Sequence, residues 1–308
     1  MQFNEYLKSC RENNALTQEE LVHNLYSYDI EYFESLDTST LSKWERSVTK
    51  PKIAKQVRII NYFQESTGIA LPYLGTNTIK EAESLICNIG MQNILEKNKT
   101  YILDLPSGAM NIDEFKVYPL RHSERMNSLL DINMDIHNEM NHIFTQVTLA
   151  QFQTWALHPS NLFLVCEYKN NFLGLLFVLR LKSETYHKLL NFEMKKSDIS
   201  EDDFASHEEK GCDFFLSFYA LNQKSASILF VRYYAHLIAN QNNILEVGGI
   251  STIKDAEKIA HNMNLKYFSK KTTDENIEIR SFTQTLAHVL ASENVLKMIL
   301  EKQKCPEE

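Results

Sequence analysis

The stretch Leu41-Ser42-Lys43-Trp44-Glu45-Arg46-Ser47-Val48-Thr49-Lys50-Pro51, with Leu16-Thr17-Gln18-Glu19-Glu20-Leu21 before it, decides the fold of the first part of this chain. Thr17 and Glu20 have the spacing of a capping box, in which two side chains accept each other's backbone N–H groups at the start of a helix. The earlier stretch therefore predicts a helix that begins beside Gln18.

The surrounding residues repeat apolar side chains at helical spacing. A further helix would be capped by Thr38 or Ser39 and would turn Leu41 and Trp44 inward, and Pro51 would close the loop after it. Two flanking helices carry the apolar residues Phe3, Leu7 and Cys10, and Ile53, Val57 and Ile60. Residues 1–66 are therefore predicted to form an all-α domain.

The combination of Thr17-Gln18-x-x-Leu21 with Ser42-x-Trp44-Glu45, a short loop and Pro51 resembles the helix-turn-helix of the phage-repressor class, the Cro-like, xenobiotic-response-element family. The resemblance implies that double-stranded DNA is a partner and that the third helix enters the major groove. It also implies a homodimer that binds two half-sites about 34–36 Å apart. The alternative is a helix-turn-helix that is reused for contacts with another protein.

The resemblance assigns two groups of residues to DNA. Polar residues at the start of the third helix would meet base edges; they are Thr38, Ser39, Thr40, Ser42 and Lys43. Gln18 would hold a phosphate at a helix N-terminus, where the backbone N–H groups favour an anion. Other phosphate contacts, which position the protein without specifying sequence, are expected from Lys43, Arg46, Lys50 and Lys52.

Charge is distributed unevenly along the chain. The net charge is −8, yet six basic residues and a single acid, Glu45, lie between Lys43 and Arg58. The acidic balance argues against general coating of nucleic acid or adsorption to a membrane, whereas the local basic excess fits one DNA-docking face. We expect Trp44 to be a core residue and Glu45 to pair with a buried or semi-buried partner.

The spacing departs from the family in one place. Thr17 and Trp44 are 27 residues apart, and the family usually places these two motifs closer together. The surplus lies near residues 26–34 and is aromatic and acidic. It either lengthens the second helix or forms a separate turn.

The 308 residues suffice for about two domains, and an apolar content of 44% can supply their cores. The five cysteines are widely spaced, which predicts free thiols in a reducing cytoplasm and no metal site. The N-terminus does not read as a signal peptide, and no stretch approaches the ~18 apolar residues that a bilayer-spanning helix needs. We therefore expect a cytoplasmic protein with no membrane partner.

Residues 67–114 are predicted to connect two domains. Gly68, Pro72 and Gly75 break the helical pattern, and residues 79–95 look helical again. That helix either bridges two copies as a dimerisation helix or packs on the second domain. The turn-rich run 105–109 marks a boundary before the domain 115–308.

Residues 115–308 alternate between helical and strand periodicity. Strands are predicted at 115–120, 161–168, 172–181, 212–221, 244–250, 266–270 and 277–282. Helices are predicted at 124–140, 149–157, 225–240 and 252–263, with one or two more at 281–303. This order resembles the GCN5-related N-acetyltransferase fold. The predicted fold class is thus an all-α helix-turn-helix domain followed by an α/β domain with a mixed, N-acetyltransferase-like central sheet.

The same resemblance places a cofactor loop at Gln223, Lys224, Ser225, Ala226 and Ser227. In the family, a Gln/Arg-x-x-Gly-x-Gly/Ala motif lets the coenzyme A pyrophosphate approach backbone N–H groups, but this loop has no glycine. The family's general-acid Tyr corresponds to Ala260, with His261 beside it. Acetyl-CoA is therefore the candidate cofactor, and neither a cofactor nor a catalytic residue is assigned firmly.

Aromatic side chains in this domain are candidates for the walls of a ligand cleft, although such stripes more often belong to a core. The candidates are Phe214, Phe218, Tyr219, Tyr233, Tyr234 and His236. Tyr267 is expected in the core. Glu246, on a mostly apolar strand, is either a buried polar group or faces solvent.

Three functions stay open. The preferred one is a DNA-binding transcriptional regulator whose acetyltransferase-like domain senses a small-molecule effector or holds the dimer. A loop without glycine suits a domain that has the ligand cleft of the family but does not transfer acetyl groups. The second is a DNA-binding protein that also works as an acetyl-CoA-dependent N-acetyltransferase. The third is a protein-interaction module such as an antitoxin or anti-repressor.

Overall fold

The computed structural model describes residues 1–75, 78–86, 91, 94–95, 102–103, 106, 110–141, 147–252, 254–274 and 276–300. These residues fall into two compact units. Unit 1 lies within Met1–Met91, Ala235–Gln241 and Leu286–Glu308, and unit 2 within Gln92–Tyr234 and Asn242–Thr285.

Unit 1 is all-α, as the periodicity predicted. Its helices before the connection are α1 (Phe3–Asn13), α2 (Gln18–Tyr28), α3 (Ile30–Phe33), α4 (Thr38–Glu45) and α5 (Ile53–Thr67). The capping box predicted at the start of α2 is present, with Thr17 Oγ1 accepting the N–H of Glu20 at 3.1 Å. The core includes Leu7, Leu41 and Ile60 of these patterns together with Phe63, whereas Ile53 and Val57 are partly buried.

Two local details of unit 1 differ from or refine the prediction. The N-cap of α4 is Asp37 rather than Thr38 or Ser39, because its carboxylate accepts the N–H of Thr40 at 2.6 Å and is a stronger, charged acceptor. The surplus near residues 26–34 forms a separate turn: α2 ends at Tyr28, and Asp29 caps the short helix α3.

The connection begins with α6 (Ile79–Leu85), which is capped by Thr78. The predicted helix 79–95 therefore ends earlier, since Ile86 has extended backbone angles, and residues 87–90 and most of the proposed boundary at 105–109 lie outside the described residues.

The C-terminal helices α12 (Leu286–Leu290) and α13 (Glu293–Leu300) belong to unit 1, not to the sheet domain 115–308 in which the sequence placed them. Both pack on α5, and Gln64 Nε2 of α5 donates to the carbonyl of Ala287 at 2.8 Å. Most of α13 is apolar and buried, so these helices complete the all-α core. The other predicted boundaries, 1–66 and 67–114, remain predictions.

Unit 2 is built on a mixed sheet of seven described strands in the order β1-β2-β3-β4-β5-β7-β6. They are β1 (Phe115–Pro119), β2 (Leu162–Tyr168), β3 (Asn171–Leu181), β4 (Gly211–Ala220), β5 (Ile244–Ser251), β6 (Lys266–Thr272) and β7 (Glu278–Thr285). All neighbouring strands are antiparallel except β4 and β5, which are parallel. A mixed central sheet was predicted, and this part of the fold class is confirmed.

Helices cover the sheet of unit 2. They are α7 (Met126–Asn141), α8 (Leu149–Leu157), α9 (Ser183–Leu190), α10 (Gln223–Ala239), whose last turn counts with unit 1, and α11 (Lys254–Asn262). The sequence patterns had not predicted α9. One core joins β2, β3 and β4 to α7, α8 and α9 through large side chains such as Trp155, Phe177 and Tyr186.

Candidate functional sites

The acid of the basic stretch in unit 1 faces inward. Glu45 is 8% exposed. Its carboxylate accepts from Arg11 Nε at 2.6 Å and Arg11 Nη2 at 3.1 Å, and from Gln18 Nε2 at 2.8 Å. The expectation of a buried or semi-buried partner for Glu45 is confirmed, since Arg11 and Gln18 are partly buried. Trp44 is 6% exposed, as expected for a core residue.

The residues assigned to DNA lie largely on the surface around α4. Thr40, Ser42 and Gln18 are partly buried, and the exposed ones are Thr38, Ser39, Lys43, Arg46, Lys50 and Lys52. We call the last four the basic face. The amide of Gln18 uses one of its two hydrogens on Glu45, so its other hydrogen can serve the phosphate contact that stays a prediction.

In unit 2 the sheet opens between β4 and β5. These two strands pair from Gly211 with Ile244 as far as Phe215 with Gly249. Beyond that point β4 no longer pairs with β5. Strand β4 stays paired with β3, and β5 stays paired with β7. Gly249 permits the last close approach, because a Cβ there would lie 3.1 Å from the Cβ of Phe215.

A cavity of about 470 Å³ lies at this opening. Its walls are mostly apolar and come from strands β3 to β7, from helices α7, α9, α10 and α11, and from the segment after α9. Phe215, Phe218 and Phe230 form aromatic parts of the wall, while Ile259 and Met263 line it from α11. The volume is within the range of about 300–1,000 Å³ that small-molecule sites occupy.

Lys196 lines this cavity, and its Nζ lies 5.9 Å from the centroid of the Phe214 ring. It lies in the short 3-10 turn Lys196–Asp198 after α9, and it is partly buried. Desolvation by the surrounding protein lowers the pKa of its ammonium from 10.5 to about 8. No acidic side chain in the described part of the chain forms an ion pair with it.

Two uncharged polar groups in the cavity wall also lack partners among the described residues. Asn133, on α7, is 2% exposed, and its Nδ2 has no hydrogen-bond acceptor. Ser217, on β4, has a buried and unpaired Oγ. It follows a register shift at Phe177/Val178, where Leu216 has no opposite residue in β3. The sequence analysis missed all three polar residues, since no local pattern sets them apart.

The residues predicted to bind the cofactor are mostly enclosed. Ser225 and Ala226 have no exposed surface, and Ser227 is 9% exposed. Asn222 Oδ1 accepts the N–H of Ser225 at 2.9 Å, and Lys224 Nζ donates to the carbonyl of Met110 at 3.0 Å. Of the five, Gln223 is exposed and Lys224 partly so. The first turn of α10 is thus already capped and covered, and its cofactor role stays a prediction.

The predicted aromatic candidates divide between cavity and core. Phe218 and Tyr219 line the cavity, whereas Phe214, Tyr233, Tyr234 and His236 are buried elsewhere. Ala260 lines the cavity and is 7% exposed, while its neighbour His261 is exposed. Tyr267 was expected in the core and is instead 55% exposed, because β6 is an edge strand with little burial on either face.

Glu246 is neither fully buried nor free in solvent. Its carboxylate lies 3.3 Å from His187 Nε2 and accepts from Thr283 Oγ1 at 2.9 Å. Tyr186 OH lies 2.7 Å from the same threonine hydroxyl. This network ties α9 to β5 and β7. The described residues hold no group of His, Cys, Asp and Glu side chains arranged for a metal ion.

Comparison with known proteins gives structural likeness alone. No protein-family model and no curated protein matches the sequence. Among solved structures, an N-acetyltransferase from Staphylococcus aureus Mu50 is 13% identical, with a TM-score of 0.39, and the match covers 56% of this chain and 98% of that one. FeeM, an N-acyl amino acid synthase from uncultured soil microbes, is 9% identical, with a TM-score of 0.39 and coverages of 57% and 91%.

The AHL synthase LasI is 13% identical, with a TM-score of 0.37, and its match covers 62% of this chain and 98% of that one. Likeness at this distance carries no residue role or activity to the present chain. Within the described residues, no helix is long and apolar enough to cross a membrane.

Proposed function

We propose that this protein is a DNA-binding transcriptional regulator that acts as a homodimer and carries a small-molecule site in its acetyltransferase-like unit. The observation that carries the proposal is the inward turn of Glu45 onto Arg11 and Gln18. It withdraws the single acid of the stretch 43–58 from the surface and leaves the basic face exposed. Such a face supports phosphate binding, whose strength falls steeply with salt.

The polar start of α4 supports sequence readout beside that face. Thr38 and Ser39 are exposed in the first turn of the helix, where the recognition helices of this motif contact base edges. The cavity of unit 2 then supplies a place for an effector, which shifts the dimer between two arrangements only if it binds them with different affinity.

DNA binding is tested with the full-length chain and a pool of random duplexes between about 50 and 200 mM salt. We expect affinity to fall steeply over this range, and Lys50→Ala to weaken binding and flatten the salt slope by about one unit. Lys8→Ala, which removes an exposed lysine of α1 paired with Glu12, is the matched control and should leave the slope unchanged. An affinity independent of salt would favour the protein-interaction alternative.

A second function, acetyl-CoA-dependent N-acetyl transfer, is favoured by the opening between β4 and β5 and opposed by the enclosed first turn of α10. Acetyl-CoA present at 100 times its dissociation constant would stabilise the fold by about 2.7 kcal/mol. Because Ser225 and Ala226 have no exposed backbone, we expect no shift of the thermal unfolding midpoint at millimolar acetyl-CoA. A clear upward shift would instead raise the enzyme to the preferred function.

A further inference from the structure

The charged residues that line the cavity all have the same sign. Lys195, Lys196 and Lys271 line it, and no acid does so in the part of the chain that the structure describes. Lys195 and Lys271 are exposed, whereas Lys196 is partly buried. The cavity therefore combines an apolar interior with lining charges that are all positive. An occupant that matches both features has an apolar chain and an anionic group.

Lys196 is the strongest part of this argument. An ammonium withdrawn from water without a counter-ion is destabilised, unlike one in an ion pair. Its lowered pKa, about 8, has burial as its cause, and at neutral pH most of the amine still carries its proton. A carboxylate beside Nζ would supply the missing counter-charge through a charge-assisted hydrogen bond.

Asn133 and Ser217 add an independent observation. The amide of Asn133 is nearly fully buried, lines the cavity and has no acceptor for Nδ2, and the Oγ of Ser217 is likewise unpaired. Buried donors of this kind are uncommon in native proteins, because each costs free energy when it is unsatisfied. A polar atom of an occupant that lay beside either donor would give it an acceptor inside an otherwise apolar wall.

We propose that the cavity of unit 2 binds a single-chain fatty acid, with the alkyl chain against the apolar wall and the carboxylate at Lys196. This inference rests on the proposed function only in naming the class of its effector. The same chemistry, an alkyl chain with an anionic end, is offered by the free acid and by an acyl-CoA thioester, and the structure favours the free acid because the first turn of α10 is enclosed.

The test is calorimetric titration of the full-length protein with dodecanoate, dodecanol and dodecanoyl-CoA at pH 7. We expect dodecanoate to bind more tightly than the other two. Lys196→Met should weaken dodecanoate by about ten- to a hundredfold, as expected for a lost hydrogen bond to a charged group, and should leave dodecanol unchanged. Lys196→Arg keeps the charge and should retain most of the affinity, while Lys188→Met, at an exposed lysine of α9 that does not line the cavity, is the matched control.

A pH series adds a second readout. Dodecanoate affinity of the wild type should decline as the pH rises above about 8, the pKa of Lys196 in the unoccupied cavity, and Lys196→Met should show no such decline. Equal affinity for dodecanol and dodecanoate, or an unchanged affinity in Lys196→Met, would overturn the proposal. Tighter binding of dodecanoyl-CoA than of the free acid would assign the site to the thioester instead.

The two proposals fail separately. Salt-dependent DNA binding by the same preparation that does not bind dodecanoate would refute the fatty-acid site alone. Dodecanoate binding that depends on Lys196, in a protein with no affinity for DNA, would refute the regulator alone.

Discussion

Glu45 in unit 1 and Lys196 in unit 2 are both withdrawn from solvent, and they are treated in opposite ways. The Glu45 carboxylate has three donors from two side chains within 3.1 Å. Lys196 lines a mostly apolar cavity, and its ammonium lies near the Phe214 ring and pairs with no acid of the described chain. A charge that the fold itself satisfies is part of the architecture, whereas a charge that it leaves unsatisfied is suited to a partner from outside.

The same contrast holds between two buried asparagines of unit 2, both 2% exposed. Asn161 accepts the N–H of Arg180 at 2.8 Å and donates to the carbonyl of Trp155 at 3.0 Å. Asn133 lies at the cavity and its Nδ2 has no acceptor. Buried polar atoms without partners also occur away from the cavity, at Asn138, Tyr234 and Gln284, but at the cavity wall a ligand could supply the missing partner.

The largest expected effect comes from breaking the hydrogen-bonded cluster of Glu45, Arg11 and Gln18. Arg11→Met leaves the carboxylate of Glu45 buried with Gln18 as its remaining side-chain donor, and an uncompensated buried charge of this kind costs about 3–5 kcal/mol. Urea unfolding followed by Trp44 fluorescence in a Trp155→Phe background measures the loss in unit 1. Lys8→Met, which removes an exposed ion pair of the same helix, should change little. The double variant Arg11→Met with Glu45→Leu should recover most of the loss, and a loss that persisted there would contradict the charge explanation.

A smaller effect is expected from the pH dependence of Lys196. Its pKa is about 8 in the folded protein and 10.5 ordinarily, so between these values the unfolded chain holds a proton that the folded chain has released. The Lys196 contribution to the free energy of unfolding therefore rises with pH, by about 2 kcal/mol between pH 7 and pH 10. Lys196→Met should lack this rise.

Buried thiols act in the other direction over the same range. Burial raises the pKa values of Cys166 and Cys212 from 9.0 to about 12. Above about pH 9 these thiols lose their protons in the unfolded chain before they do so in the folded one, so the free energy of unfolding falls. The measurement is consequently the difference between wild-type and Lys196→Met unfolding curves, followed by Trp155 fluorescence in a Trp44→Phe background. A difference that stays flat with pH would show that Lys196 is not desolvated.

The smallest effect separates the two asparagines. Asn133→Leu removes an unsatisfied donor at similar volume and should stabilise unit 2 by about 1 kcal/mol, while it weakens dodecanoate binding. Asn161→Leu strands the N–H of Arg180 and the carbonyl of Trp155, so it should destabilise by at least about 1 kcal/mol. Thermal unfolding of the two variants checks the signs, and a destabilised Asn133→Leu would mean that its amide is satisfied in the free protein.

Local patterns predicted most of the elements because they depend on neighbours in sequence. The capping box at Thr17 and Glu20 was present, and the apolar spacings in α1 and α5 were confirmed. The strands β2 and β3 were also predicted, and they form a hairpin whose turn at Lys169 and Asn170 has positive φ at both residues, as tight hairpins require. The N-cap Asp37 and the helix α9 were not predicted, since a better acceptor and a short amphipathic turn are weak signals in sequence.

The candidate sites were predicted unequally. The exposed basic face follows from local composition and helix phase, so the sequence could identify it, although DNA binding remains to be measured. The cavity could not be identified in the same way, because Asn133, Lys196 and Ser217 come from α7, the segment after α9 and β4. The sequence around each of these residues does not indicate that the three line the same cavity.

By itself the sequence determined most of the helices and strands and the uneven charge, because periodicity and composition are properties of short segments. The mixed sheet was expected from the resemblance to a known fold. Only the tertiary structure decided that Glu45 turns inward, that α12 and α13 complete the all-α unit, and that β4 and β5 separate beyond Phe215 and Gly249. Those outcomes depend on contacts between residues that are far apart in the chain. Such contacts pair the buried charge of Glu45 with Arg11 and Gln18, and they leave Lys196 without an acidic partner in the described part of the chain.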